Sequence, residues 1–229
     1  MNPHLSGAAG QAFAAGFWAL KVLRPDRPIH PVGVALKGTI ERQPAAARSG
    51  ILWVDTSGSD AVSARLSRSV GTPPGWPDIL GLALRITTET GPADVLLAST
   101  GMSRPGRLVL TAHRHASSSK LTSLMPYKGS AGPVLLAACP EKTGTWLPAA
   151  PDAFRRALGA VPWTLGLFYA RPAGDWIRFG TLTLTLDPAA ADLPTRFDPL
   201  EHPPPGAGTY GWTRRLRKPS YEAARQPAP

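Results

Sequence analysis

"RPIHPVGVALKGTIE", residues 27–41, sets a single histidine in an otherwise apolar, alternating run. Val32, Val34, Leu36 and Ile40 recur with the period of two that marks a strand with one buried face. His30 falls on the same period and is expected on the same inward face. A buried neutral imidazole must be hydrogen-bonded or carry a desolvation cost. Two readings stay open: a packed core histidine with a satisfied ring, or the working group of a buried site.

Outward from this stretch the alternation continues in short runs. They are "ILWVDT", "AVSARLSRSV", "ILGLALRITT", "DVLLAS", "RLVLTAHRH", "PVLLAAC", "WTLGLFYA" and "IRFGTLTLTL". Leu80, Leu82, Leu84 and Ile86 share one face of the third of these. Gly, Pro and Ser clusters such as "SGSD" and "GTPPGWP" separate the runs. Many short strands at this spacing predict a barrel or sandwich of mostly antiparallel strands. Helical patterns interrupt them at "PDAFRRALG", residues 151–159, and at "GWTRRLRKPSYEAARQ" near the end, where Pro219 disturbs the helix.

The composition agrees with this architecture. The chain has 229 residues, of which 43% are hydrophobic and 17% charged, within reach of a single sizeable core. Its 26 prolines disfavour long helices. The net charge of +10 comes mostly from scattered arginines, and the one dense run, "RRLRK" at 214–218, reads as a solvated helix face rather than a nucleic-acid contact. The single cysteine, Cys139, excludes an internal disulfide and a multi-cysteine metal site, and it reads as a structural thiol. The first residues lack a basic n-region and read as an amphipathic helix rather than a signal peptide. No run reaches 18 apolar residues, so no membrane span is expected and the simplest location is cytoplasmic.

The strand "SARLSRSVG" puts Arg65 and Ser67 two apart on one face, and Arg27 lies three residues before His30. A strand pair carrying His, Ser and two Arg on inward faces is unusual for a plain core. Buried arginines call for anions, from carboxylates or from the acid groups of a ligand.

At these residues the chain resembles the catalase superfamily. "RPIHPVGVALKGTIE" is similar to the family's Arg-x-x-His strand, and "ARLSRSVG" to its Arg-Phe-Ser strand with Leu66 in the Phe place. "PDILGLALRITTETGPADVLLAST" and "RFDPLEH" resemble two further blocks in family order. The resemblance spans roughly residues 20–225 and implies a mainly β fold with flanking helices, a catalase-like antiparallel β-barrel. The expected layout is one domain over 1–229, with an N-terminal helix and arm over 1–26, the barrel over 27–190 and a C-terminal segment with a helix over 191–229. In the family a haem is buried against the barrel. Carried over, His30 matches the histidine that accepts and relays the peroxide proton, and Ser67 the hydroxyl that orients it. Arg27 and Arg65 match arginines that pair with haem propionates. Heme b is the implied cofactor and a peroxide or hydroperoxide the implied substrate, in a monomer or simple homodimer.

Two departures bear on activity. The family's distal Asn belongs where this chain has Ala98 and Ser99, and neither is an amide. The family's tyrosinate iron ligand sits in an Arg-x-x-x-Tyr helix. Arg217-Lys-Pro-Ser-Tyr221 has that spacing, but its place in the chain better matches an earlier helix. These departures keep a second function in view: a catalase-like barrel without haem that hydrolyses a phosphodiester or binds an anionic apolar ligand. The pair His4-Leu-Ser6 and His115-Ala-Ser117 echoes a phosphodiesterase motif. His113 and His115 otherwise read as an exposed polar loop, with no third ligand nearby for a metal.

Overall fold

The computed structural model describes residues 32–141, 146–193 and 195–215. Arg27, His30, His4, Tyr221, the N-terminal helix and most of the C-terminal one lie outside these residues.

Among the described residues ten strands form, all paired antiparallel: β1 (Gly33–Arg42), β2 (Gly58–Arg68), β3 (Asp78–Thr88), β4 (Gly91–Ser99), β5 (Ala112–His113), β6 (Leu121–Thr122), β7 (Tyr127–Gly129), β8 (Gly132–Pro140), β9 (Trp163–Ala170) and β10 (Ile177–Leu186). The order β2-β1-β10-β9-β8-β6-β4-β3 closes on itself because β3 also pairs with β2. This ring of eight is a closed barrel; β5 extends β3 and β7 pairs with β8 outside the ring. Closure removes the exposed edges that so many strands would otherwise leave.

The predicted alternation fills the interior, except that Val32 precedes β1 and is exposed. Val34, Leu36 and Ile40 of β1 face Leu66, Ala64 and Asp60 of β2, and Leu82, Leu84 and Ile86 of β3 face Leu97, Val95 and Ala93 of β4. All but Asp60 belong to one continuous buried cluster that continues through Leu165, Leu167, Leu182 and Leu184. Each large aliphatic side chain so buried contributes about 1.5–3 kcal/mol. Gly38 sits at the tightest approach of β1 and β10, where a Cβ would lie 1.8 Å from the Thr183 carbonyl oxygen.

Two predicted strands take other forms. "ILWVDT" contains a single helical turn, α1 (Leu52–Asp55). Trp53 and Val54 are both buried, which adjacent residues on a one-sided strand cannot achieve. The turn lets Trp53 meet Phe179 edge to face at 5.6 Å while its Nε1 donates to Asp60 at 3.0 Å. "RLVLTAHRH" becomes a tight turn over Gly106–Leu108 and the two-residue β5, leaving Leu108, Val109 and Leu110 exposed. The helix expected at 151–159 forms as α2 (Pro151–Leu158). Pro151 begins it, Phe154 and Leu158 form its buried stripe, and Gly159 at φ +50° ends it.

Candidate functional site

Arg65 and Ser67 project from the same face of β2, as their spacing requires, but that face is the outer wall of the barrel. Residues paired across antiparallel strands share a face. Arg65 pairs with Ala35 and Ser67 with Gly33, both on the side of β1 opposite Val34 and Leu36. The inward placement expected for the two side chains therefore gives way to an outward one. Ala64 through Arg68 are all buried, so burial does not alternate over this half of the strand.

The register carries Ser67 into a row that crosses seven strands: Gly33, Ser67, Gly81, Ala98, Thr122, Ala137 and Phe168. The next row is Ala35, Arg65, Ala83 and Leu96. Small side chains dominate the first row, and Ala35 and Ala83 flank Arg65 in the second, so the wall beside Ser67 is low. Ser67 donates a long hydrogen bond to the Gly81 carbonyl at 3.4 Å. Of the two candidates at the family's amide position, Ala98 stands in this row. Ser99 faces the interior, where its hydroxyl accepts from Leu80 N at 2.9 Å and donates to the Thr111 carbonyl at 2.6 Å. A serine committed to two backbone groups on the inner side cannot replace an amide on the outer wall.

The chain after β10 runs on beside β1, at the edge of this wall. Ala35 N donates to the Ala191 carbonyl at 3.0 Å, and Asp187 N to the Ala35 carbonyl at 3.1 Å. Arg155 of α2 donates through Nη2 to the carbonyls of Gly33 and Ala191, at 2.8 and 2.7 Å. Asp192 then meets Arg65: guanidinium Nε to one carboxylate oxygen at 2.6 Å and Nη2 to the other at 2.9 Å. The same carboxylate accepts from Gly33 N at 3.1 Å and Leu193 N at 2.8 Å. Gly33 leaves room for the guanidinium, since a Cβ there would lie 2.6 Å from Arg65 Cζ. Burial pushes the Asp192 carboxyl up, but the Arg65 bonds and charge and the two backbone donors together hold it below its ordinary value.

Further along, the "RFDPLEH" stretch is fastened to the outer faces of β3 and β4. Arg85 and the fully buried Asp94 form a two-pronged pair at 2.8 and 2.7 Å. Asp198 N donates to Asp94 at 2.7 Å, Asp94 N donates to the His202 carbonyl at 2.7 Å, and Arg85 lies 5.4 Å from the Phe197 ring. The hydrogen bonds to Asp94 are the largest cause holding Arg85 above its ordinary pKa. Residues 187–193 and 196–202 thus border the wall of small residues, at Arg65 and at Arg85 respectively.

The other sequence candidates do not join this wall. Ser117 accepts from Leu147 N at 3.2 Å, and His115 lies 4.3 Å from the exposed Trp146 ring. His113 bonds Thr111 Oγ1 at 2.9 Å, and burial, then Lys120, pushes its pKa down. Among the described residues no group of three or more His, Cys, Asp or Glu is arranged to hold a metal ion. Cys139 rests 3.9 Å from Met102 Sδ, and burial pushes its thiol pKa up. No helix of the described residues is long and apolar enough to cross a membrane.

Sequence reasoning misses Asp192, Arg85 and Asp94. Arg85 and Asp94 flank the β3–β4 hairpin at cross-strand spacing, which is a readable signal. Asp192, in "PAAADLP", carries no local signal.

No family model matches the chain, and no curated protein matches it. Solved structures do. A bacterial catalase matches at 13% identity and a TM-score of 0.56, over 90% of this chain and 60% of that one. Catalase A from Saccharomyces cerevisiae matches at 14% identity and 0.65, over 89% and 61%. A fungal catalase matches at 14% identity and 0.65, over 89% and 60%. The chain has a catalase-like fold, strongly diverged in sequence, and spans about 60% of the length of these catalases.

Proposed function

We propose that the outer wall around Ser67 and Arg65 is a ligand face, and that its ligand joins a flat apolar body to an acid group. One observation carries this reading. A guanidinium and a hydroxyl project from one face of β2 beside a low wall of Gly81, Ala83 and Ala98, in a catalase-like fold. A low wall admits a planar apolar body, and a buried guanidinium selects an acid. Haem is a molecule of this class. A small haem-dependent peroxidase or hydroperoxide-processing enzyme is the activity that the catalase likeness favours, with His30, Ser67, Arg27, Arg65 and Tyr221 as its residues.

The described residues do not fit haem as they stand. Nε and Nη2 of Arg65 already hold Asp192, where a propionate would have to bind. The described row from Gly33 to Phe168 contains no imidazole, amide or phenolate. No step of peroxide chemistry is therefore derived through that group. The same ion pair favours a second reading: the catalase-like barrel without haem, holding an anionic apolar molecule such as a fatty acid or hydrolysing a phosphodiester.

Titration of the purified protein with haemin, beside His30→Ala, Arg65→Gln and Tyr221→Phe variants, separates the two. A sharp Soret band saturating at one haemin per chain, shifted in Tyr221→Phe and weakened in Arg65→Gln, supports the haem reading. Absence of a specific band removes it. The wild type is then assayed for oleate binding and for turnover of bis(p-nitrophenyl) phosphate.

A further inference from the structure

We propose that Asp192 is a built-in competitor for the ligand's acid group, so that ligand binding exchanges one carboxylate for another in the Arg65 fork and displaces the segment from 187 to 193. The proposal rests on the ligand face described above and specifies where the acid of the ligand binds.

The geometry points to exchange rather than to a permanent structural pair. Arg65 is fixed in the wall, its side chain 7% exposed, whereas that of Asp192 is 31% exposed at the rim. The carboxylate fills the fork in the two-pronged arrangement that any external carboxylate would adopt. Residues 187–193 are all exposed or half-buried and add no side chain to the hydrophobic core. Their attachments include main-chain bonds to Ala35, the Arg155 bridge and the Asp192 carboxylate. A segment with little buried apolar area opens at low cost. Asp94 is the contrasting case: its carboxylate is fully buried, so that pair is a fastening.

An internal carboxylate acts at a high effective concentration, so it weakens an external acid's apparent affinity by the fraction of time the fork is free. Gly33 N loses its acceptor when Asp192 leaves, which supplies an independent readout.

The test compares haemin and oleate binding in the wild type, Asp192→Asn, and the double variant Asp192→Asn/Arg65→Gln. Asp192→Asn is expected to bind at least one probe about tenfold more tightly, and the Arg65→Gln change to abolish the gain. Equal affinity in the wild type and Asp192→Asn overturns the competition while leaving the ligand face in place. Absence of binding in every variant, Asp192→Asn included, overturns the ligand face and the competition together. Since Asp192→Asn also perturbs the chain after β10, amide exchange of Gly33 in the wild type gives a second measure. Saturating probe is expected to accelerate it, and unchanged or slower exchange under bound probe overturns the proposal.

Discussion

Arg65 and Asp192 are 127 residues apart in the chain and 2.6 Å apart in space. The pair answers the question that a buried arginine raises, namely which anion it holds. It also sets a pH dependence. The folded carboxyl of Asp192 titrates below its ordinary value, so the folded state binds this proton less readily than the unfolded chain. The stabilisation is present above the unfolded value of about 3.9 and is lost as pH falls through the lower folded value. With one partner at the rim, its size is about 1 kcal/mol or less. Urea midpoints of the wild type and Asp192→Asn should therefore differ between about pH 5 and 7 and converge below about pH 4. A gap that persists unchanged to about pH 3 would show that charge is not its source.

At the scale of elements, two devices hold the strands in place. The loop between β2 and β3 folds around Asp78, whose carboxylate accepts from Val70 N at 3.0 Å, Gly71 N at 2.7 Å and Thr72 N at 3.0 Å. The Asp78 side chain is fully buried, with Arg68 Nε 3.5 Å away. Asp78→Asn turns one acceptor into a donor facing amide donors, and should cost about 2–3 kcal/mol in denaturant unfolding. A change under about 0.5 kcal/mol would mean that the loop does not depend on the carboxylate. The second device is the close approach of β1 and β10 at Gly38. Gly38→Ala would drive its Cβ into the Thr183 carbonyl, an atom that cannot rotate away. The expected loss is about 3 kcal/mol, read as a lower melting temperature with the barrel's circular dichroism retained in the cold.

For the whole molecule, closure makes the core a single cooperative unit. Leu36 lies between β2 and β10 and is completely buried. Leu36→Ala should cost about 2–5 kcal/mol, with near- and far-ultraviolet dichroism lost in one transition. Two separated transitions would mean that the barrel melts in parts. Residues 187–193 and 196–202 bind the outside of this unit by ion pairs and main-chain bonds, and oleate or haemin should alter amide exchange there before it alters the core.

Much of the barrel is legible in the order of residues alone. The alternation of Val34, Leu36 and Ile40 and of Leu80 through Ile86 marks strands and their inward faces, because period two is a local property of the backbone. The strand expected around Trp53 fails because adjacent buried residues in a helical turn mimic a short apolar run. The outward placement of Arg65 and Ser67 is not legible, because both faces of that half of β2 are buried. Nor is the choice of Ala98 over Ser99 for the wall, which follows from the register of β4 against β3 and β6.

The linear chain thus specifies the place and the inward face of most of the long strands and the turns between them. It leaves open whether eight strands close, which wall carries the candidate serine and arginine, and which acid fills the arginine's fork; the folded chain settles all three. The difference is one of range. Hydrophobic period and turn chemistry act over a few residues, whereas closure, the choice of outer face and the return of a carboxylate across 127 residues depend on the path of the whole chain.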